Sequence, residues 1–141
     1  MPTPTGPDLC HALAARRKAR YLSRLYDSQL APAGLSVSQF SILSLLQAHG
    51  RLKLTDLAQR LIMERTSLVR ALKPLQAADL VVTERPDGGR AFDVMLTPAG
   101  LEKLAEAAPL WNGAQSAFEA EVGQERAVRL RDEVLALNLG G

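Results

Sequence analysis

The chain has a single cysteine, Cys10, and two histidines, His11 and His49. One thiol cannot close an internal disulfide or build a thiolate zinc cluster, and an unpaired thiol fits the reducing cytoplasm. No apolar run reaches the roughly eighteen residues of a membrane-spanning helix, so no membrane partner is expected. Residues 1–11 have no basic stretch leading into an apolar core, so no secretory leader is expected. There is no HExxH pair, no glycine-rich phosphate loop and no Ser/His/Asp set, so neither an enzyme nor a cofactor is expected. Aromatic residues are only 4% of the chain. The core must therefore come from Leu, Ala and Val, and that composition favours a mainly helical fold.

What is there is ordered along the chain. At 141 residues a single domain with a real core is the simplest expectation. Net charge is only +2, but it is unevenly spread. Residues 1–50 hold five basic and two acidic side chains, residues 51–90 eight and five, and residues 98–141 four and seven. That gradient fits a DNA-facing body with an acidic segment held away from the DNA.

The most informative stretch is 54–80. Leu57, Ala58 and Leu61 have core spacing on a short helix over about residues 55–61, and a turn follows at 62–64. A second helix begins near Arg65. Its Leu68, Leu72 and Leu75 fall on one face, and Thr66, Arg70 and Lys73 on the opposite one, with Ser67 beside them. A buried leucine stripe under hydroxyl and basic groups suits a major groove, where Arg can grip guanine N7 and O6. The same pattern also describes an ordinary amphipathic helix with a solvated basic face. Pro74 lies inside this helix and should bend it beyond the reading end.

Before this pair, Asp8 is a candidate N-cap for a helix over residues 8–30, whose Arg16, Arg17, Lys18, Arg20 and Arg24 make it basic. Those cations read as a solvated face, a phosphate contact or a charged lip on a ligand pocket. Pro32 and Gly34 end that helix. Ser36 and Gln39 form a capping box for a central, buried helix with Phe40, Ile42, Leu43, Leu45 and Leu46, closed by Gly50. Residues 51–53 can form a short strand.

After the pair, two β-prone runs flank Pro86-Asp87-Gly88-Gly89, which reads as a hairpin. A hairpin directly after a helix-turn-helix makes a winged helix. Arg85 and Arg90 bracket the tip, within reach of phosphates or a minor groove. Thr97-Pro98 then starts a long helix towards Val122, in which Pro109 and Gly113 imply a bend or break. A last helix is expected over about 124–137. The terminal helices carry more apolar surface than the small central motif can cover, so a homodimer joined through them is expected.

In this order the chain resembles a MarR-type transcriptional regulator over nearly its whole length. The resemblance is carried by Leu25-Tyr26-Asp27, by residues 34–40 (GLSVSQF), 57–61 (LAQRL) and 65–70 (RTSLVR), and by Leu96-Thr97-Pro98-Ala99-Gly100. It implies one domain over 1–141, with dimerisation helices at 8–35 and 98–141, a winged lobe at 36–97 and a wing at 81–96. It also implies a homodimer on double-stranded, pseudo-palindromic operator DNA, often a repressor released by a small aromatic or acyl effector. Thr66, Ser67 and Arg70 match the family's recognition-helix residues, and Arg90 its wing arginine. Arg65, Lys73 and Arg85 complete the DNA-contact candidates. The family wing usually has Asp two residues before that arginine. Gly88 stands there, with Asp87 one step further away, so the usual Asp–Arg pairing is shifted or absent.

The resemblance places an effector between the first helix, the central helix and the helix after the wing. Tyr21 and Trp111 are candidates to stack on it and Arg17 to meet a carboxylate. Packing and surface roles are the alternative for all three. Two other functional readings remain at this point. Cys10, beside His11 and near basic residues, can serve as a redox switch. A winged helix can also act as a protein–protein adaptor that binds no DNA.

Overall fold

The computed structural model describes residues 3–139, so residues 1, 2, 140 and 141 of the expected 1–141 domain lie outside the described residues. Among the described residues, six α-helices and three short strands follow one another as α1 (His11–Leu30), α2 (Val37–His49), β1 (Leu52–Lys53), α3 (Leu54–Leu61), α4 (Arg65–Ala77), β2 (Val81–Glu84), β3 (Asp93–Leu96), α5 (Pro98–Val122) and α6 (Gln124–Ala136). The antiparallel sheet has the order β1-β3-β2, with Leu52 opposite Val94 and Thr83 opposite the same Val94 on the other side. This is the mainly helical winged helix-turn-helix that the sequence predicts.

One core serves the winged lobe. Leu43, Leu57, Leu68 and Val94 are fully buried, with Ile42, Leu46, Leu54, Leu72, Leu75 and Val81 almost so. Burying a leucine side chain contributes about 1.5–3 kcal/mol, so the stripe on α4 alone is a substantial anchor. The terminal helices are different. In α1 only Leu30 is buried, and in α6 only Ala127.

Two local expectations are corrected, and one of a bend or a break loses its second half. Asp8 does not cap α1. It sits in a 3-10 turn over Gly6–Leu9, and Cys10 is the N-cap, its Sγ accepting from the Leu13 N–H at 3.4 Å. The tight turn takes up the residues between Pro7 and the helix, with the Cys10 N–H donating to the Pro7 carbonyl. Pro109 and Gly113 do not break α5, which runs through both as one helix. Pro109 is exposed, so the carbonyl left without its N–H faces solvent. Gly113 marks a close approach, since a Cβ there would lie 3.1 Å from Gln29 Oε1 of α1. Finally, α2 is only partly buried. Phe40 and Leu45 are half-buried, and Phe40 stacks on Trp111 of α5, centroids 6.1 Å apart. The helix α4, too, continues through the exposed Pro74 to Ala77.

The capping box at Ser36 and Gln39 forms in both directions. Asp27 of α1 adds to it, its Oδ1 accepting from the Val37 N–H at 2.7 Å. Tyr26 beside it donates to Gln115 of α5, and burial, then Glu119, raise its phenol's pKa and keep the donor proton in place. These contacts join the long helices to the start of the winged lobe.

Gly100 packs hardest. A Cβ on it would lie 2.2 Å from the Leu80 carbonyl oxygen, a backbone atom that cannot swing away. Gly100→Ala gains about 1 kcal/mol of helix propensity, yet this overlap forces α5 off β2, and overpacking of this kind costs about 1–3 kcal/mol. The variant should unfold at lower urea with an unchanged slope. A midpoint at or above that of the parent refutes this packing. Ile62 predicts the opposite sign. It caps α3 with φ 53, a left-handed conformation that is strained for a β-branched residue, and it is 63% exposed. Ile62→Gly should raise stability by about 1 kcal/mol, read as a higher urea midpoint.

Candidate nucleic-acid interface

The outer surface of the winged lobe is built from α4 and the wing. Leu68, Leu72 and Leu75 point α4 into the core, and this orientation leaves Arg65, Thr66, Ser67, Arg70 and Lys73 exposed. The N-cap of α4 is Glu64, and its side chain makes no capping hydrogen bond. The first-turn N–H groups, with the Thr66 and Ser67 hydroxyls beside them, therefore remain available to an anion such as a phosphate. At the other end, Gln76 Nε2 approaches Thr83 Oγ1 at 3.5 Å and links α4 to β2.

The wing is held where its strands end and at its tip. At the last strand pair before the loop, Arg51 Nε donates to Asp93 Oδ2 at 2.6 Å and Arg51 Nη1 reaches Glu84 Oε2 at 2.9 Å. The Asp93 hydrogen bond, helped by Glu84, raises the guanidinium pKa still further. Glu84 and Asp93 are paired across β2 and β3, so one cation just before β1 closes the acidic end of the hairpin. At the tip, Arg85 Nη1 donates to the carbonyls of Gly89 (2.7 Å) and Arg90 (3.0 Å), with its guanidinium 5.1 Å from the centre of the Phe92 ring. Arg65 Nη2 of α4 donates to the same Arg90 carbonyl at 3.2 Å. Among the described residues Asp87 forms no ion pair, and the Arg90 guanidinium has no hydrogen-bond or ion-pair partner.

The seven DNA-contact candidates are all exposed, five on α4 and two, Arg85 and Arg90, on the adjoining wing, where Arg65 and Arg85 meet the Arg90 carbonyl. The three effector candidates are not brought together. Trp111 lines an open, mostly apolar groove with Phe40, Ser41, Ser44 and Leu45 of α2. Tyr21 is 47% exposed and leans on Phe118. Arg17 lies near Asp8 at the N-terminal turn, 3.7 Å away. A separate cavity of about 270 Å³ opens between α1, α5 and α6, lined by Leu22, Tyr26, Phe118, Val128 and Leu135 among others. Cys10 is exposed at the start of α1. The residues that sequence reasoning missed are Arg51, Gln76 and Thr83. The partners of Arg51 are up to 44 positions away, and Gln76 and Thr83, seven positions apart, meet only because the chain turns from α4 into β2, so no periodic pattern announces them.

A model of the MarR family matches residues 33–91, the winged lobe up to the wing tip. No curated protein matches the chain in sequence. Among solved structures, the transcriptional regulator MosR of M. tuberculosis is 34% identical, with a TM-score of 0.77 over 92% of this chain and 94% of that one. A second MosR structure, in complex with DNA, is 32% identical, with a TM-score of 0.74 over 92% and 99%. AbsC of Streptomyces coelicolor, a MarR family transcriptional regulator, shares the fold at 22% identity, with a TM-score of 0.75 over 98% and 96%. Whole-length similarity at this level, together with the lobe match, means that the chain belongs to the MarR family of transcriptional regulators.

Proposed function

We propose that the chain acts as a homodimeric repressor that reads a pseudo-palindromic operator and is released by a small aromatic or acyl effector. The observation that carries the DNA-reading half is the α4 face. Its leucine stripe is buried, and Thr66, Ser67, Arg70 and Lys73 face outward beside a wing whose Arg90 side chain is uncommitted. In this reading Thr66 and Ser67 meet phosphates or base edges, Arg70 reads a guanine, and Arg65 and Lys73 meet the backbone. Arg90 enters the flanking minor groove, a position where Arg senses groove width and charge.

The dimer is supported by apolar surface that one chain leaves uncovered. Tyr21 on α1 is 47% exposed, and Val134, Leu135, Leu137 and Leu139 at the C-terminal end are 50–71% exposed. Residues 8–35 and 98–139 supply that surface, and two copies packed through it set two recognition helices about one DNA turn apart. The Phe40–Trp111 groove supports the effector half. It lies between the central helix and α5, and an aromatic or acyl ligand seated there would press on α2, which carries the winged lobe. Such a ligand releases DNA only if it favours a lobe spacing that misfits the operator.

Selection from a random duplex pool at two salt concentrations tests this reading. An enriched inverted repeat with half-site centres about 10 base pairs apart is expected. Salt-sensitive binding with no enriched sequence would reduce the chain to a non-specific DNA binder. No binding at low salt, where phosphate contacts are strongest, would favour the protein-adaptor reading. On the selected site, Arg70→Ala should weaken binding by about 1–3 kcal/mol and relax preference at one base position. Full affinity with the same preference would remove Arg70 from the reading set.

A further inference from the structure

We propose that Arg85 is a positioning residue: it locks the wing onto its own backbone instead of gripping DNA, and the Arg90 carbonyl is the joint between wing and recognition helix. The loop between β2 and β3 spans residues 85–92, contains Gly88 and Gly89, and has no ladder partner. Left to itself such a loop samples many conformations, and a wing arginine on it would be poorly aimed. The Arg85 guanidinium gathers this loop. One of its nitrogens serves the Gly89 and Arg90 carbonyls together, and its central carbon lies over the Phe92 ring, 5.1 Å from the centroid, where the chain returns to β3.

A carbonyl oxygen has two lone pairs. That of Arg90 receives Arg85 from the wing and Arg65 from the first turn of α4, at 3.0 and 3.2 Å. Both donors are charged, which strengthens each bond. The backbone of Arg90 is thereby pinned to the reading helix while its side chain stays unengaged. The arrangement needs a planar fork that can donate and stack at once. A lysine keeps the charge but supplies neither the plane nor the fixed donor directions.

The wing's use on DNA rests on the function proposed above, but the lock itself is a property of the free protein and is tested there. Backbone amide order parameters for residues 88–91 would be measured in the parent, Arg85→Lys and Arg85→Gln, with unchanged core resonances as the check on folding. A locked wing has values near about 0.85, and both variants should fall below about 0.6. Unchanged order in both variants, or full order in Arg85→Lys, overturns the proposal. DNA titrations against salt give a second readout. Loss of a phosphate contact lowers the salt slope by about one, whereas loss of positioning weakens binding and leaves the slope alone. A lowered slope in Arg85→Gln that Arg85→Lys restores would make Arg85 a phosphate contact and contradict the proposal. If the parent bound no DNA at all, the function would fail and the order parameters would still decide the lock.

Discussion

The carbonyls of Asp79 and Leu80 sit where the recognition helix ends, the first wing strand begins and α5 departs. Thr97 takes both, its hydroxyl donating to Asp79 at 2.6 Å and its N–H to Leu80 at 3.1 Å. The same hydroxyl accepts from the Gly100 N–H and so caps α5. Thr97 is the one buried polar residue among the described residues, and it is fully used. A residue without a side chain at position 100 lets α5 close on Leu80. Through this knot the long helix that leads away from the winged lobe is rigidly joined to the two elements that face outward. A change in the tilt of α5 therefore moves α4 and the wing together.

From that knot outward, α4 is tied to the wing at two places, by Gln76 with Thr83 on β2 and by Arg65 with the Arg90 carbonyl in the loop, while Arg51 and Arg85 brace the hairpin itself. Exposed ion pairs and hydrogen bonds of this kind add little stability one by one. Their effect is on orientation, because two of them fix the hairpin against the helix and the others hold the shape of the hairpin. The usual family pairing of an aspartate with the wing arginine is absent here, where Gly88 takes the aspartate's place. Carbonyls of the loop itself, held by Arg85, fill that structural part.

The sequence made periodic and local features legible. The leucine stripe of α4, the capping box at Ser36 and the Thr97-Pro98 helix start all depend on neighbours within four residues, and all stand as expected. Two breaker residues did not break their helix. Pro109 lies on an exposed face of α5, where the lost hydrogen bond is tolerable, and Gly113 is a contact site. Asp8 looked like a cap because no local rule anticipates a 3-10 turn followed by a thiol cap. The seven DNA-contact candidates could be grouped from the sequence because one helix and one adjoining hairpin carry them. Whether Arg17, Tyr21 and Trp111 come together could not be read, since they lie on helices whose mutual rotation no local pattern encodes.

In the proposed function, two copies of one lobe are held about one helical turn apart. Hydroxyl-radical footprinting on a duplex that the chain selects measures this most directly. Two protected blocks related by a dyad, with half-site centres about 10 base pairs apart and minor-groove protection on their flanks, are predicted. A single block without symmetry, covering one half-site, would contradict it.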